Sequence, residues 1–141
     1  MKVMIMGCGR VGARMAVSLQ TAGHEVTVLD VEPRSFRRLP DSFTGRTIVG
    51  NGMDQARLEA AGIAQMDAFV AVTQGDNRNY FGSQLAKEVY GIRRVLCRIY
   101  DPNREELFRT LGLETFSPTR LGAQIMVDML LSSEPESPEA V

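Results

Sequence analysis

Apolar residues along this chain follow two alternating rhythms. Short runs rich in β-branched residues and methionine, at 2–6 (KVMIM), 25–30 (EVTVLD), 46–50 (RTIVG), 67–73 (DAFVAVT) and 94–100 (RVLCRIY), are largely apolar on both faces. That is the pattern of strands covered by helices on either side. A shorter run at 114–117 predicts a sixth strand. Between them, stretches with helical spacing predict helices over 10–22, 33–40, 54–61, 77–90 and 103–111, and a last one over 118–132. Gly23, Gly62, Gly91 and Gly112 each follow a helical stretch, where a left-handed cap would fall. Regular strand–helix alternation predicts an α/β fold built from βαβ units. Right-handed crossovers would then give a Rossmann-like, doubly wound, parallel six-stranded sheet of order 3-2-1-4-5-6, as a single domain over 1–132. The remaining 133–141, rich in Ser, Pro and Glu, is expected to be a disordered tail or linker stub.

The candidate chemistry gathers where such sheets bind ligands, at the carboxyl ends of the strands. "IMGCGRVG" at 5–12 places Gly7, Gly9 and Gly12 directly behind the first strand and at the start of a helix, with Asp30 at the end of the next strand. That context raises a weak glycine pattern to a dinucleotide-binding fingerprint. Gly7 permits the tight turn, Gly9 lets the backbone approach a pyrophosphate, and Gly12 lets the helix pack on the sheet. Asp30 is expected to accept from the ribose hydroxyls, which disfavours a 2′-phosphate. Arg34, Arg37 and Arg38 follow it, read here as a solvated helix face with phosphate contact as the alternative. Arg10 stands in the first turn of the helix, where a guanidinium can fork onto phosphate oxygens. It widens the ligands from NAD(H) to ATP, ADP or AMP.

Further along that edge, Asn51, Gly52 and Met53 follow the third strand and offer an amide and an apolar wall to adenine. Thr73 and Gln74 end the fourth strand across from the glycine loop. Arg98, in the fifth, requires either a ligand anion or an ion pair with Asp76 or Asp101. Cys8, between the glycines, lies beside helix amides that would lower a thiol pKa, although a small packed residue is the plainer reading. His24 falls at the opposite edge of the sheet.

Composition narrows the function. A chain of 141 residues has room for one ordinary domain. Its formal net charge of −1, with arginines interspersed among acids, argues against nucleic acid or an anionic membrane surface as partner. Two isolated cysteines and one histidine give no disulfide framework or metal cluster. No apolar run approaches the roughly 20 residues of a membrane span, so direct membrane insertion is not expected. Met1-Lys2-Val3 enters a strand without a signal-peptide pattern, so a cytoplasmic protein is expected. No general acid, base or nucleophile with a partner is evident, so catalysis is not expected. The last helix carries Leu121, Ile125 and Met129 in one stripe, widened by Met126, Val127, Leu130 and Leu131. A helix apolar nearly all round needs a cover, and a second subunit is the simplest one.

Together, "MKVMIMGCGRVG", "HEVTVLD", "IVGNGMD", "LEAAGI", "DAFVAVTQGDNRN" and "RIYDPNREELFRTLGLETFSPT" resemble the amino-terminal nucleotide-binding domain of TrkA- and KtrA-type potassium uptake regulators, the RCK or KTN domain. The resemblance runs from residue 1 to about 131. It implies a cytoplasmic regulatory subunit, peripheral to the inner membrane, that gates a membrane-embedded potassium channel or transporter on binding NAD(H) or an adenine nucleotide. It also implies assembly into dimers or octameric rings. Carried over by position, it implies nucleotide contacts from Gly7, Cys8, Gly9, Arg10, Val11, Asp30, Asn51, Gly52, Thr73, Gln74 and Arg98. Many relatives read Gly-Asp where this chain has Gly50-Asn51, so a carboxylate is missing there. Family regulators usually continue into a ligand-sensing domain, where this sequence ends in its Ser/Pro/Glu stretch. The competing readings are an NAD-dependent oxidoreductase subunit whose substrate part is another chain, and a nucleotide-binding module of another cation transporter.

Overall fold

Alternation within the strands explains the layers. In β1 (Lys2–Met6), Val3 and Ile5 point to one face while Met4 and Met6 point to the other, and all are essentially buried. Period-two side chains on a sheet covered on both sides produce this division. The other strands are β2 (Glu25–Asp30), β3 (Arg46–Val49), β4 (Ala68–Ala71), β5 (Arg94–Arg98) and β6 (Glu114–Phe116). All pair in parallel, in the order β3-β2-β1-β4-β5-β6, as the alternation of elements predicts. The computed structural model describes residues 1–132; the expected tail at 133–141 lies outside the described residues.

The helices are α1 (Arg10–Thr21), α2 (Gln55–Ala60), α3 (Asp76–Gln84), α4 (Pro102–Thr110) and α5 (Pro118–Leu131). One core joins Met4, Leu29, Phe69 and Cys97 to Leu58, Leu85 and Phe108. The other packs Val3, Ile5, Val28 and Val70 under Ala13 and Ala16. Gly23, Gly62, Gly91 and Gly112 all adopt positive φ, so the helix stops are where the sequence places them.

Five elements depart from expectation. The predicted helix at 33–40 is a 3₁₀ turn, Pro33–Arg38, without a buried residue, because only Phe36 and Leu39 reach the core. A second short turn, Ile63–Gln65, follows α2, and α3 runs into a π turn, Leu85–Val89. The strands expected over 67–73 and 94–100 are shorter, since Thr73, Gln74 and Tyr100 leave the ladder to face the site.

Candidate functional site

The chain turns away from the carboxyl edge on both sides of β1, since its neighbours are β2 and β4 and the connections leave in opposite directions. A cleft of about 640 Å³ opens at this divide, within the range of small-molecule sites.

Glycines shape its floor. Gly7 has φ +114°, and a Cβ there would lie 2.9 Å from the Val72 carbonyl carbon and oxygen, so both conformation and space require glycine. A Cβ on Gly12 would run into the Gly7 carbonyl oxygen. At Gly9 nothing lies within 4 Å of such an atom, and φ is −81°. Gly7 and Gly12 therefore serve the close approach of loop, helix and sheet, whereas Gly9 faces open space in the cleft. The amino termini of α1 and α3, which begin beside the cleft, carry no side-chain cap. Those of α2, α4 and α5 are capped by Asp54, Asp101 and Ser117. The uncapped helix starts leave amide donors and a partial positive charge facing the opening.

Asp30 closes one side. Its Oδ2 accepts from the Cys8 amide at 2.7 Å and its Oδ1 from the Glu32 amide at 2.8 Å. These bonds fix the carboxylate and leave lone pairs for further donors. Arg38 turns into the cleft, with Nη1 at 3.5 Å from the Cys8 carbonyl, while Arg34 and Arg37 stay exposed outside it. All three are exposed, as the solvated-face reading expects, and Arg38 also lines the cleft.

Opposite, β4 and β5 end in a tied knot. Asn79, fully buried, accepts from the Thr73 amide (2.9 Å) and hydroxyl (2.6 Å) and donates to the carbonyls of Thr73 (2.9 Å) and Arg98 (2.8 Å). Arg98 donates through Nη2 to the carbonyls of Val72 (2.7 Å) and Thr73 (3.0 Å), and its guanidinium lies 4.8 Å from the centre of the Tyr100 ring. The residue is 8% exposed, yet no ion pair joins it to a carboxylate among the described residues, and its buried Nε has no partner. Asp76 and Asp101, the alternatives for an ion pair, are engaged as backbone acceptors. Burial lowers the guanidinium pKa, against opposing contributions from Tyr100 and Asp76.

Arg10, Arg38, Arg78 and Arg98 line this cleft against the single carboxylate of Asp30. Four cations facing one anion create a strongly positive local field in a chain of nearly zero net charge. A glycine cradle, an orphaned buried donor and this excess of positive charge fit a nucleotide.

Most sequence-derived candidates meet here: Gly7, Gly9, Arg10, Val11, Asp30, Asn51, Gly52, Thr73, Gln74 and Arg98 line the cleft. Three do not. Gly12 is buried beneath the loop, and Met53 stands outside the lining, its amide bonded to the Asn51 side chain at 2.9 Å. Cys8 reaches the site through its backbone only. Its side chain is fully buried, and burial first, then the nearby Asp30 carboxylate, pushes the thiol up to about 11, with Arg38 opposing. The expectation of a lowered thiol pKa is thus corrected, because desolvation outweighs the helix amides. Arg78 and Tyr100 were not singled out, although "TQGDNRN" and "RIYDP" contain them. His24 lies at the opposite edge, beside a smaller cleft of about 330 Å³. Among the described residues there is no metal-ligand cluster and no helix long and apolar enough to cross a membrane.

The profile of the TrkA-N domain matches residues 3–118. A Trk system potassium uptake protein TrkA of Streptomyces coelicolor is 46% identical over 136 residues, which cover 96% of this chain and 61% of that relative. The chain thus spans less than two thirds of the relative's length. Among solved structures, the Kef carboxyl-terminal domain of Shewanella denitrificans in an AMP-bound form superposes with a TM-score of 0.77 at 20% identity, covering 94% of this chain and 84% of that one. GsuK bound to ADP superposes with a TM-score of 0.79 at 20% identity, over 94% of this chain and 34% of GsuK. At this identity the superpositions establish a shared fold.

Proposed function

The chain belongs to the TrkA-N domain family, and from that premise we propose that it is a regulatory, non-catalytic domain of a potassium uptake system, switched by a nucleotide in the carboxyl-edge cleft. The observation that carries this reading is Arg98, a buried guanidinium in the cleft with an unpartnered Nε and, among the described residues, no ion pair to a carboxylate. A phosphate in the cleft would neutralise its charge. Gly9 and the uncapped start of α1 would meet the phosphates, with Arg10 and Arg78 adding charge, and Asp30 would hold the ribose. The ligand class is NAD(H) or an adenine nucleotide such as ATP, ADP or AMP; the bound AMP and ADP of the structural neighbours support this.

Switching also needs two packings with different affinity for the ligand. From Ala123 to Leu131 every residue of α5 is exposed, with Leu130 at 83% and Leu131 at 81%. Such an apolar helix is best covered by a second copy, in a dimer or ring. That assembly would sit on the cytoplasmic side of a membrane-embedded potassium transporter subunit, as the naming of the Streptomyces relative suggests.

Titration calorimetry with NAD, NADH, NADPH, AMP, ADP and ATP tests the site. Saturable binding of at least one nucleotide, weakened by Asp30→Ala, is expected. Absence of binding, or equal binding by Asp30→Ala, would contradict the assignment.

A further inference from the structure

Outside the cleft, one cluster of charges calls for explanation. Glu105 is 2% exposed on α4, on the face that also buries Phe108. Its carboxylate accepts from Arg120 twice, Nε to Oε2 at 3.0 Å and Nη2 to Oε1 at 2.9 Å, and from Arg109 at 2.6 Å, with the Thr115 hydroxyl at 3.4 Å. Buried ion pairs are often no more stabilising than apolar residues of the same volume. What a two-point guanidinium fork does supply is a fixed mutual orientation.

The two parts so oriented are unequal. Arg120 lies in the first turn of α5, and no residue of α5 is buried. The Ser117 cap and the Gln124–Asp128 and Ser132–Met129 bonds lie within the helix and its ends. The fork is therefore a polar tie between the body and the root of the helix. The same amino-terminal end of α4 is attached to the cleft. Asp76 accepts from the Tyr100 amide at 2.8 Å and the Asp101 amide at 3.1 Å, Asp101 caps α4, and Arg104 donates to Asn77 at 2.9 Å. Tyr100 in turn lies beneath Arg98. The Asp101 cap and the first turn of α4, which carries Glu105, thus join the cleft to the root of α5.

We propose that Glu105 is a positioning residue, acting through Arg120, by which the ligand state of the cleft sets the direction of α5 and so the association of this chain with a second copy. The inference rests on the reading of the cleft as a nucleotide site and of α5 as an interface. The two states of α5 are solvated and covered, and the fork decides which orientation is presented to the partner.

The test uses the full chain. The dimer dissociation constant is measured by sedimentation with and without saturating ADP, and with and without saturating NADH, while nucleotide affinity is measured on dilute protein. In the wild type at least one nucleotide shifts the dimer constant by about five-fold or more, the lower end of common coupling factors. Arg120→Ala leaves Glu105 paired with Arg109, so folding is preserved; the shift falls below about two-fold while nucleotide affinity stays within about two-fold. Glu105→Gln does the same, and Arg120→Lys recovers part of the shift. A role in stability alone would weaken dimers equally with and without nucleotide. Wild-type coupling retained in both Arg120→Ala and Glu105→Gln overturns the inference and leaves the nucleotide site intact. Nucleotide binding without any wild-type shift also overturns it, and absence of binding removes the site reading and the inference together.

Discussion

Replacing Arg98 by methionine separates a residue kept for a ligand from one kept for the fold. In the free protein, the substitution loses two hydrogen bonds donated by a charged group, to Val72 and Thr73, each worth about 1.5–3 kcal/mol. It also loses a contact with the Tyr100 ring worth about 0.5–2 kcal/mol. Against this stands the several kcal/mol of effective cost for burying a guanidinium that makes no ion pair among the described residues. The terms are comparable, and methionine fills the stem's volume, so stability without ligand should change by no more than about 1 kcal/mol. Binding has no such compensation. Losing a charge-assisted contact to phosphate costs about 1.5–3 kcal/mol, a roughly ten- to 150-fold weaker Kd. Thermal unfolding reads both quantities. At a nucleotide concentration of about 100 times the wild-type Kd, the wild type gains about 2.7 kcal/mol, near 8–10 °C in Tm for a domain of this size. A variant with 100-fold weaker binding gains about 0.4 kcal/mol, or about 1–2 °C. Arg98→Met that loses several kcal/mol without ligand, yet keeps the full nucleotide-induced shift, would refute the reasoning and make Arg98 a structural residue.

Gly9→Val should fold as the wild type, since a Cβ there meets nothing within 4 Å, but should block nucleotide binding; normal Tm with loss of the calorimetric signal is the expected result. Gly7→Ala, with φ +114° and backbone 2.9 Å away, should lower stability by about 2–5 kcal/mol from strain and overpacking, measured by denaturant unfolding. Met126→Glu with Leu130→Glu should leave far-UV circular dichroism unchanged, because no α5 residue is buried, and abolish self-association in sedimentation. Cys8 and Cys97 both titrate near 11 against an ordinary 9.0, burial being the leading cause. A pKa raised on folding favours the protonated native state below pH 9 and loses that advantage as pH rises to 11. Tm should therefore fall across pH 9–11, less steeply in Cys8→Ala with Cys97→Ala, and native thiol alkylation at pH 8 should be slow.

Local signals made the sheet readable from sequence, since strand runs apolar on both faces and glycines after four of the helical stretches are written residue by residue. The glycine loop and Asp30 were equally legible, because a fixed spacing brings them together across β1 and β2. What escaped depends on tertiary surroundings. Met53 reads as an apolar wall, yet the turn at Asn51 takes its amide and carries it out of the cleft. Cys8 sits beside a helix start, but its pKa follows burial, which no local pattern records. The segment 33–40 has helical spacing with too few core contacts to sustain more than a 3₁₀ turn. Glu105 and Arg120 lie on different helices, so nothing in their spacing announces the fork. Asn79 stood inside a motif noted for resemblance, while its part in tying Thr73 to Arg98 became visible only when both strands were placed.

The claim that a nucleotide binds at the carboxyl edge is tested most directly by following backbone amide resonances of the full chain during titration with ADP and, separately, NADH. Saturable shifts should concentrate at Gly7, Gly9, Val11, Asp30, Thr73 and Arg98, leaving His24, Thr27, Arg46 and Gly62 around the opposite cleft undisturbed. No saturable shift with either nucleotide, or shifts centred on the opposite cleft, would contradict the account.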